Sequence, residues 1–87
     1  HGGCLFSIAD AAGCAAASSH GNHIATLSNT FNFLNPGLNT KTLYAETREL
    51  KHGKRVLVYS VSVTDENDTL LGEGVFTFMS INKPIEL

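Results

Sequence analysis

Charge of one sign is what this 87-residue chain most conspicuously lacks: six Lys and Arg stand against eight Asp and Glu, for a formal net charge of −2. Without a basic stripe there is no electrostatic footprint for nucleic acid or for an anionic membrane surface. No apolar run approaches the roughly 20 residues that span a bilayer, and the most apolar stretch is diluted by Ala, Gly and Ser. Internal repeats and low-complexity linkers are missing as well, so residues 1–87 read as one soluble domain. A domain this small buries little surface, and association with further copies is the expected remedy. The chain also lacks an initiator methionine and opens directly on residues read below as functional, so an upstream segment is expected.

Cysteine is scarce, with only Cys4 and Cys14. On one helix they stand about 15 Å apart along the axis, beyond the reach of a disulfide. Two unbridged thiols suit a reducing compartment, and a cytoplasmic location is expected. A zinc-ligand spacing is lacking too. His20, His23 and His52 match no such pattern, and neither a metal nor a cofactor is expected.

What the chain does have is an N-terminal helix, expected over residues 3–18, that is apolar or small on every side and carries a single charge, Asp10. A helix apolar all round is a buried one. An ionised carboxylate in such a place costs several kcal/mol unless it is paired or solvated by a cleft, and no residue within one helical turn of Asp10 can pair with it. Along the Asp10 stripe lie Gly3, Phe6, Ser7, Gly13, Cys14 and Ala17, five of them small, which leaves space for a ligand or a second helix.

After a loop ending near Gly21, a natural left-handed stop, four strands are expected over residues 24–33, 42–50, 55–64 and 70–81. In the first, Ala25, Leu27, Phe31 and Phe33 fall on one face and Thr26, Ser28, Thr30 and Asn32 on the other. The third is richest in β-branched and aromatic residues. Gly72 and Gly74 in the last point to a bulge or the close approach of another backbone, and residues 82–87 are read as a frayed tail. The fold class is α+β, a long buried helix wrapped by an antiparallel sheet.

Two features of the helix suit hydrolysis of an activated acyl group. His1-Gly2-Gly3 puts backbone with little side chain at the helix start, where free N–H groups and the positive dipole end can polarise a carbonyl oxygen. Asp10 can serve as general base toward water or as nucleophile. Gly2 and Asp10 are about 12 Å apart along a helix axis, so they cannot act on one carbonyl within one chain. If both serve one site, an antiparallel pair of helices across a two-fold axis must bring them together, with two equivalent sites per dimer.

The run His1-Gly2-Gly3, Leu5-Phe6-Ser7-Ile8-Ala9-Asp10, the Ala-rich helix, Thr26 and Ser28, and Phe33-Leu34 with Pro36 resembles the hotdog-fold acyl-CoA thioesterases of the phenylacetate-degradation, 4-hydroxybenzoyl-CoA thioesterase-like type. The resemblance implies dimers, often paired into tetramers, that hydrolyse acyl- or aryl-CoA. It assigns the Gly2 N–H to the thioester carbonyl, Asp10 to the base or nucleophile role, and Thr26 to the attacking water. His1, Gly3, Cys14 and Ser28 are expected to line the substrate cleft. Relatives usually carry a helix and a strand before the Gly-Gly pair, with an Asn or Gln a few residues upstream, and this chain has neither. Cys14 lacks a histidine on its helical face to form a thiolate and is read as pocket lining. Arg48, Lys51, Lys54 and Arg55 cluster at one hairpin, where the phosphates of CoA could meet them. A non-catalytic acyl-CoA-binding module of the same fold is the alternative, although a pure binder has no need of a carboxylate aimed at its ligand.

Overall fold

The structure, a computed structural model, describes residues 2–37 and 40–85. Helix α1 (Gly2–Ser18) is followed by β1 (Asn22–Phe33), β2 (Leu43–His52), β3 (Val56–Asp65) and β4 (Leu70–Pro84). All neighbouring strands are antiparallel, in the order β1-β4-β3-β2. One helix on one antiparallel sheet is the expected architecture, and each strand falls within a few residues of its expected place. The tail is a correction: β4 runs on to Pro84, which pairs with Asn22, so residues 82–84 belong to the sheet. Among the described residues no helix is long and apolar enough to cross a membrane.

Residues four apart stack on one helical face, and Leu5, Ala9, Gly13 and Ala17 make the buried stripe of α1. They sit on Leu57, Tyr59, Val61 and Val63 of β3 and Leu71, Phe76 and Phe78 of β4. Gly13 brings the helix down onto the sheet: a Cβ there would lie 3.3 Å from the Phe78 ring and 3.6 Å from Val61. Within one chain, however, α1 is not buried all round. Gly3, Cys4, Ser7, Ala11 and Ala15 are exposed on its outer side. The space beside the small residues is therefore divided. Phe78 and Val61 fill it at Gly13, while the side bearing Gly3 and Ser7 stays open.

Chain reversals use the residues expected of them. Gly21 takes φ of +93° and its N–H returns to Ser18 O at 2.9 Å, ending the helix. Asp65 Oδ1 accepts from the N–H groups of Asn67 and Thr69, both at 2.9 Å, which shapes the β3–β4 turn.

Strand β1 departs from simple alternation. The register slips between Thr26 and Ser28, so Leu27 is a bulge residue that points out at 52% exposure. Directly paired residues share a face, and the partners of Ile24, Thr26, Asn29, Phe31 and Phe33 are the buried Ser80, Phe78, Phe76, Gly74 and Gly72. Those five therefore face α1. Ala25, Ser28 and Thr30, paired with Met79, Thr77 and Val75, face away. The expected grouping of Thr26 with Ser28, and of Ala25 with Phe31, is thus overturned by one extra residue.

Candidate active site

Asp10 lies midway along α1, half-buried, one turn beyond Phe6. Phe6 packs edge-on against Phe31 of β1, ring centroids 6.0 Å apart, and against Phe76 of β4 at 5.9 Å. Helical spacing carries Asp10 onto that same flank, overhanging the β1 edge of the sheet. Cys14 Sγ, one turn further on, is a weak donor toward Asp10 Oδ1 at 4.0 Å. Among the described residues no cation comes within ion-pair distance of Asp10. Burial, and then the Asp10 carboxylate beside it, pushes the Cys14 thiol above its ordinary range. A thiol held neutral in this way is a poor nucleophile, which agrees with a lining role.

Thr26 is exposed on the α1-facing side of β1, at the same margin of the sheet that Asp10 overhangs. Ser28 is on the opposite face, turned from α1 by the bulge at Leu27. His1 lies outside the described residues. Gly2 begins α1, so its N–H is one of the four that a helix start leaves without intrahelical partners. Gly3 is exposed beside it, and among the described residues a Cβ there would meet nothing within 4 Å.

A cleft of about 210 Å³ opens at this end of α1, between Cys4 and Leu5 of the helix, Leu43 and Leu71 of the sheet, and Gly37, Thr40 and Lys41 of the β1–β2 connection. Thr40 Oγ1 is buried there and has no hydrogen-bond partner among the described residues, the kind of orphan that a bound ligand or water satisfies. Sequence reading missed Thr40 and Lys41, since nothing in a run of turn formers marks which residue will fold back against a helix. The basic residues Arg48, Lys51, Lys54 and Arg55 are all exposed, and their hairpin stands at the other end of α1.

That other end holds a second polar cluster. His20, just past α1, places Nε2 2.7 Å from Glu49 Oε1 and 3.0 Å from the Tyr59 hydroxyl. Tyr59 donates to Glu49 Oε1 at 2.7 Å and lies 3.4 Å from Ala16 O. The His20 and His52 rings stack with centroids 3.7 Å apart. His20 and His52, which match no zinc spacing in the sequence, are exposed yet engaged, and no pattern in the sequence marks Glu49.

The sequence profile of the family described as Thioesterase superfamily matches residues 1–71. Acyl-coenzyme A thioesterase PaaI of Escherichia coli is 36% identical over 66 residues, 76% of this chain and 47% of that protein. The solved structure of E. coli PaaI, from the phenylacetic acid degradation operon, superposes with a TM-score of 0.92 at 30% identity, covering 99% of this chain and 62% of that one. A Streptococcus mutans protein solved with acetyl-CoA bound gives 0.90 at 27% identity, covering 98% and 68%. Two alanine variants of a hypothetical thioesterase protein from Streptococcus pneumoniae share the fold, with a TM-score of 0.89 at 23% identity, covering 95% of this chain and 69% and 68% of theirs. The chain spans about half the length of the curated relatives it matches. Its profile, its kinship to PaaI and its helix laid on a four-stranded antiparallel sheet agree, and the chain belongs to the thioesterase superfamily with the hotdog fold.

Proposed function

We propose that this chain acts in a homo-oligomeric thioesterase that hydrolyses acyl-CoA to the free acid and CoA, with Asp10 as its base or nucleophile. The observation that carries this reading is a half-buried carboxylate without a cationic partner among the described residues, overhanging an open sheet edge. As base, Asp10 takes a proton from water while the water oxygen bonds to the thioester carbon. The oxyanion formed rests on the Gly2 N–H of a second copy, at the positive end of its helix. Collapse breaks the C–S bond, and the departing CoA thiolate takes up the proton. Thr26, on the α1-facing side of β1, holds the water.

Several facts support this assignment. The S. pneumoniae variants replace an aspartate and a threonine sixteen residues apart, the interval that separates Asp10 from Thr26. Acetyl-CoA occupies the S. mutans relative. The outer stripe of α1, with Gly3, Ser7, Ala11 and Ala15, is small enough for the antiparallel helix of a second copy to approach closely. Kinship to PaaI makes phenylacetyl- and other aryl-CoA esters the first substrates to try, and the two free cysteines suit a cytoplasmic setting.

The test is release of free CoA from phenylacetyl-, hydroxyphenylacetyl-, benzoyl- and medium-chain acyl-CoA by the wild-type chain and by Asp10→Asn. Loss of a general base removes about 10²-fold or more in rate, and a variant of unchanged circular dichroism with near-normal turnover overturns the assignment. If neither protein releases CoA while calorimetry records acyl-CoA binding, the chain is a binding module and Asp10 is structural.

A further inference from the structure

We propose that His20, Glu49 and His52 form a binding site for one divalent transition-metal ion, zinc being the best fit, at the C-terminal end of α1. One ligand atom from each of the three lies within 4.8 Å of the others. Two imidazoles and a carboxylate are a donor set suited to zinc and its neighbours rather than to magnesium or calcium. Ligands about 2.1 Å from a tetrahedral zinc stand about 3.4 Å from one another. The present spacing, from 2.7 Å between His20 and Glu49 up to 4.8 Å, brackets that value. Closing it requires His52 to turn its ring out of the stack with His20, which an exposed side chain can do.

The arrangement depends on a local irregularity. In a regular strand, residues three apart point to opposite faces, so Glu49 and His52 would be separated by the sheet. The β2 register slips between Glu49 and Lys51, and Leu50 becomes a bulge residue at 53% exposure. As a result Glu49 pairs with Tyr59 and His52 with Leu57, two buried residues of the helix-facing side, and both reach the end of α1 where His20 waits. Bulges commonly re-aim side chains in this way beside functional sites.

A metal ligand needs an outer partner to hold it, and Tyr59 is placed for that role. Its hydroxyl, on a side chain only 4% exposed, donates to Glu49 Oε1 and lies close to Ala16 O. An ion taken up between the two would replace the His20 Nε2–Glu49 Oε1 contact, with Tyr59 still holding the carboxylate. A space of about 30 Å³, room for a water, adjoins the two histidines beside Gly53, Leu57 and Ser80. Lys51 and Lys54 are nearby cations, both exposed and therefore screened by solvent and salt. The site is at the far end of α1 from Gly2 and stands whether or not the chain hydrolyses thioesters.

The experiment is calorimetric titration of the tag-free chain, stripped with chelator, with zinc chloride at neutral pH. One saturable ion per chain is expected. His52→Ala and Glu49→Gln should each weaken it about tenfold or more, while His23→Ala, outside the cluster, leaves it unchanged. Zinc should also raise the melting temperature of the wild type and of His23→Ala but not of His52→Ala, which separates lost ligation from lost folding. Absence of saturable binding, or binding undiminished in folded His52→Ala and Glu49→Gln, overturns the proposal and leaves the cluster as a hydrogen-bonded pin between α1 and the β2–β3 hairpin.

Discussion

Tyr59 and Glu49 share a hydrogen bond, and each shifts the other's titration. Burial, followed by the Glu49 carboxylate, pushes the Tyr59 phenol up to about 12. The Tyr59 hydrogen bond, with His20 second, holds Glu49 below the usual carboxylate range. Tyr59 is neutral in the folded chain at pH values where the unfolded chain would ionise it. Its contribution to stability is therefore whole below the ordinary tyrosine range near 10 and lost as pH rises through about 12. Glu49 works in the other sense: its contribution is present above the ordinary carboxylate range and lost as pH falls through its lowered value. The 295 nm absorbance of wild type minus Tyr59→Phe should accordingly titrate near 12. Losing the hydroxyl should cost about 1 kcal/mol in urea unfolding. A difference titration near 10 would show that the hydroxyl is not held as described. At this scale the sequence disclosed residues whose oddity is local, such as one charge in an apolar helix or Gly21 after a helix end. It concealed Glu49, whose partners come from 29 residues before it and 10 after it.

At the scale of the element, expected and observed strands agree in number and order, because alternation and turn formers are local signals. What they missed was phase. Leu27, which alternation groups with Phe31 and Phe33, is a bulge residue facing solvent, and Leu50 is a second bulge residue in β2. A bulge adds one residue without changing composition, so every face assignment beyond it inverts while the pattern looks intact. Gly72 and Gly74 were legible because the chemistry is in the residue itself. A Cβ at Gly74 would collide with Thr30 O and come within 2.9 Å of Phe31 Cα, and one at Gly72 would meet the Phe31 ring at 2.5 Å. The β1–β4 seam is therefore closed only over glycine. Gly74→Ala should force the two strands apart and lower unfolding stability by about 1–3 kcal/mol, the range for overpacked sites, read as an earlier urea midpoint. An unchanged midpoint would mean that β1 gives way freely.

For the whole molecule, the two edges of the sheet differ in what they invite. β2 carries Glu46, Arg48, Glu49 and Lys51, charges of the kind that guard an edge against strand addition. β1 runs twelve residues with no proline, lysine, arginine or carboxylate, and is open to pairing. Antiparallel pairing of β1 with its copy, about a two-fold axis normal to the sheet, keeps both helices on one face and sets them antiparallel. It also directs the Asp10 flank of each helix toward the second copy, the condition that the Gly2-to-Asp10 separation imposes. A shared site of this kind has a consequence that a site within one chain lacks. Gly2→Pro removes the N–H donor at a helix position that tolerates proline, and Asp10→Asn removes the base, so each homodimer should be inactive. Unfolding and refolding the two together gives mixed dimers in which one of the two sites joins an intact Asp10 to an intact Gly2, so activity should return to about a quarter of wild type at random pairing. Sedimentation of the mixture verifies that dimers re-formed. Dimers that re-form without activity, from parents that are each folded, would mean that Gly2 and Asp10 do not meet across the two-fold, and the oxyanion donor would have to be sought elsewhere than at the start of α1.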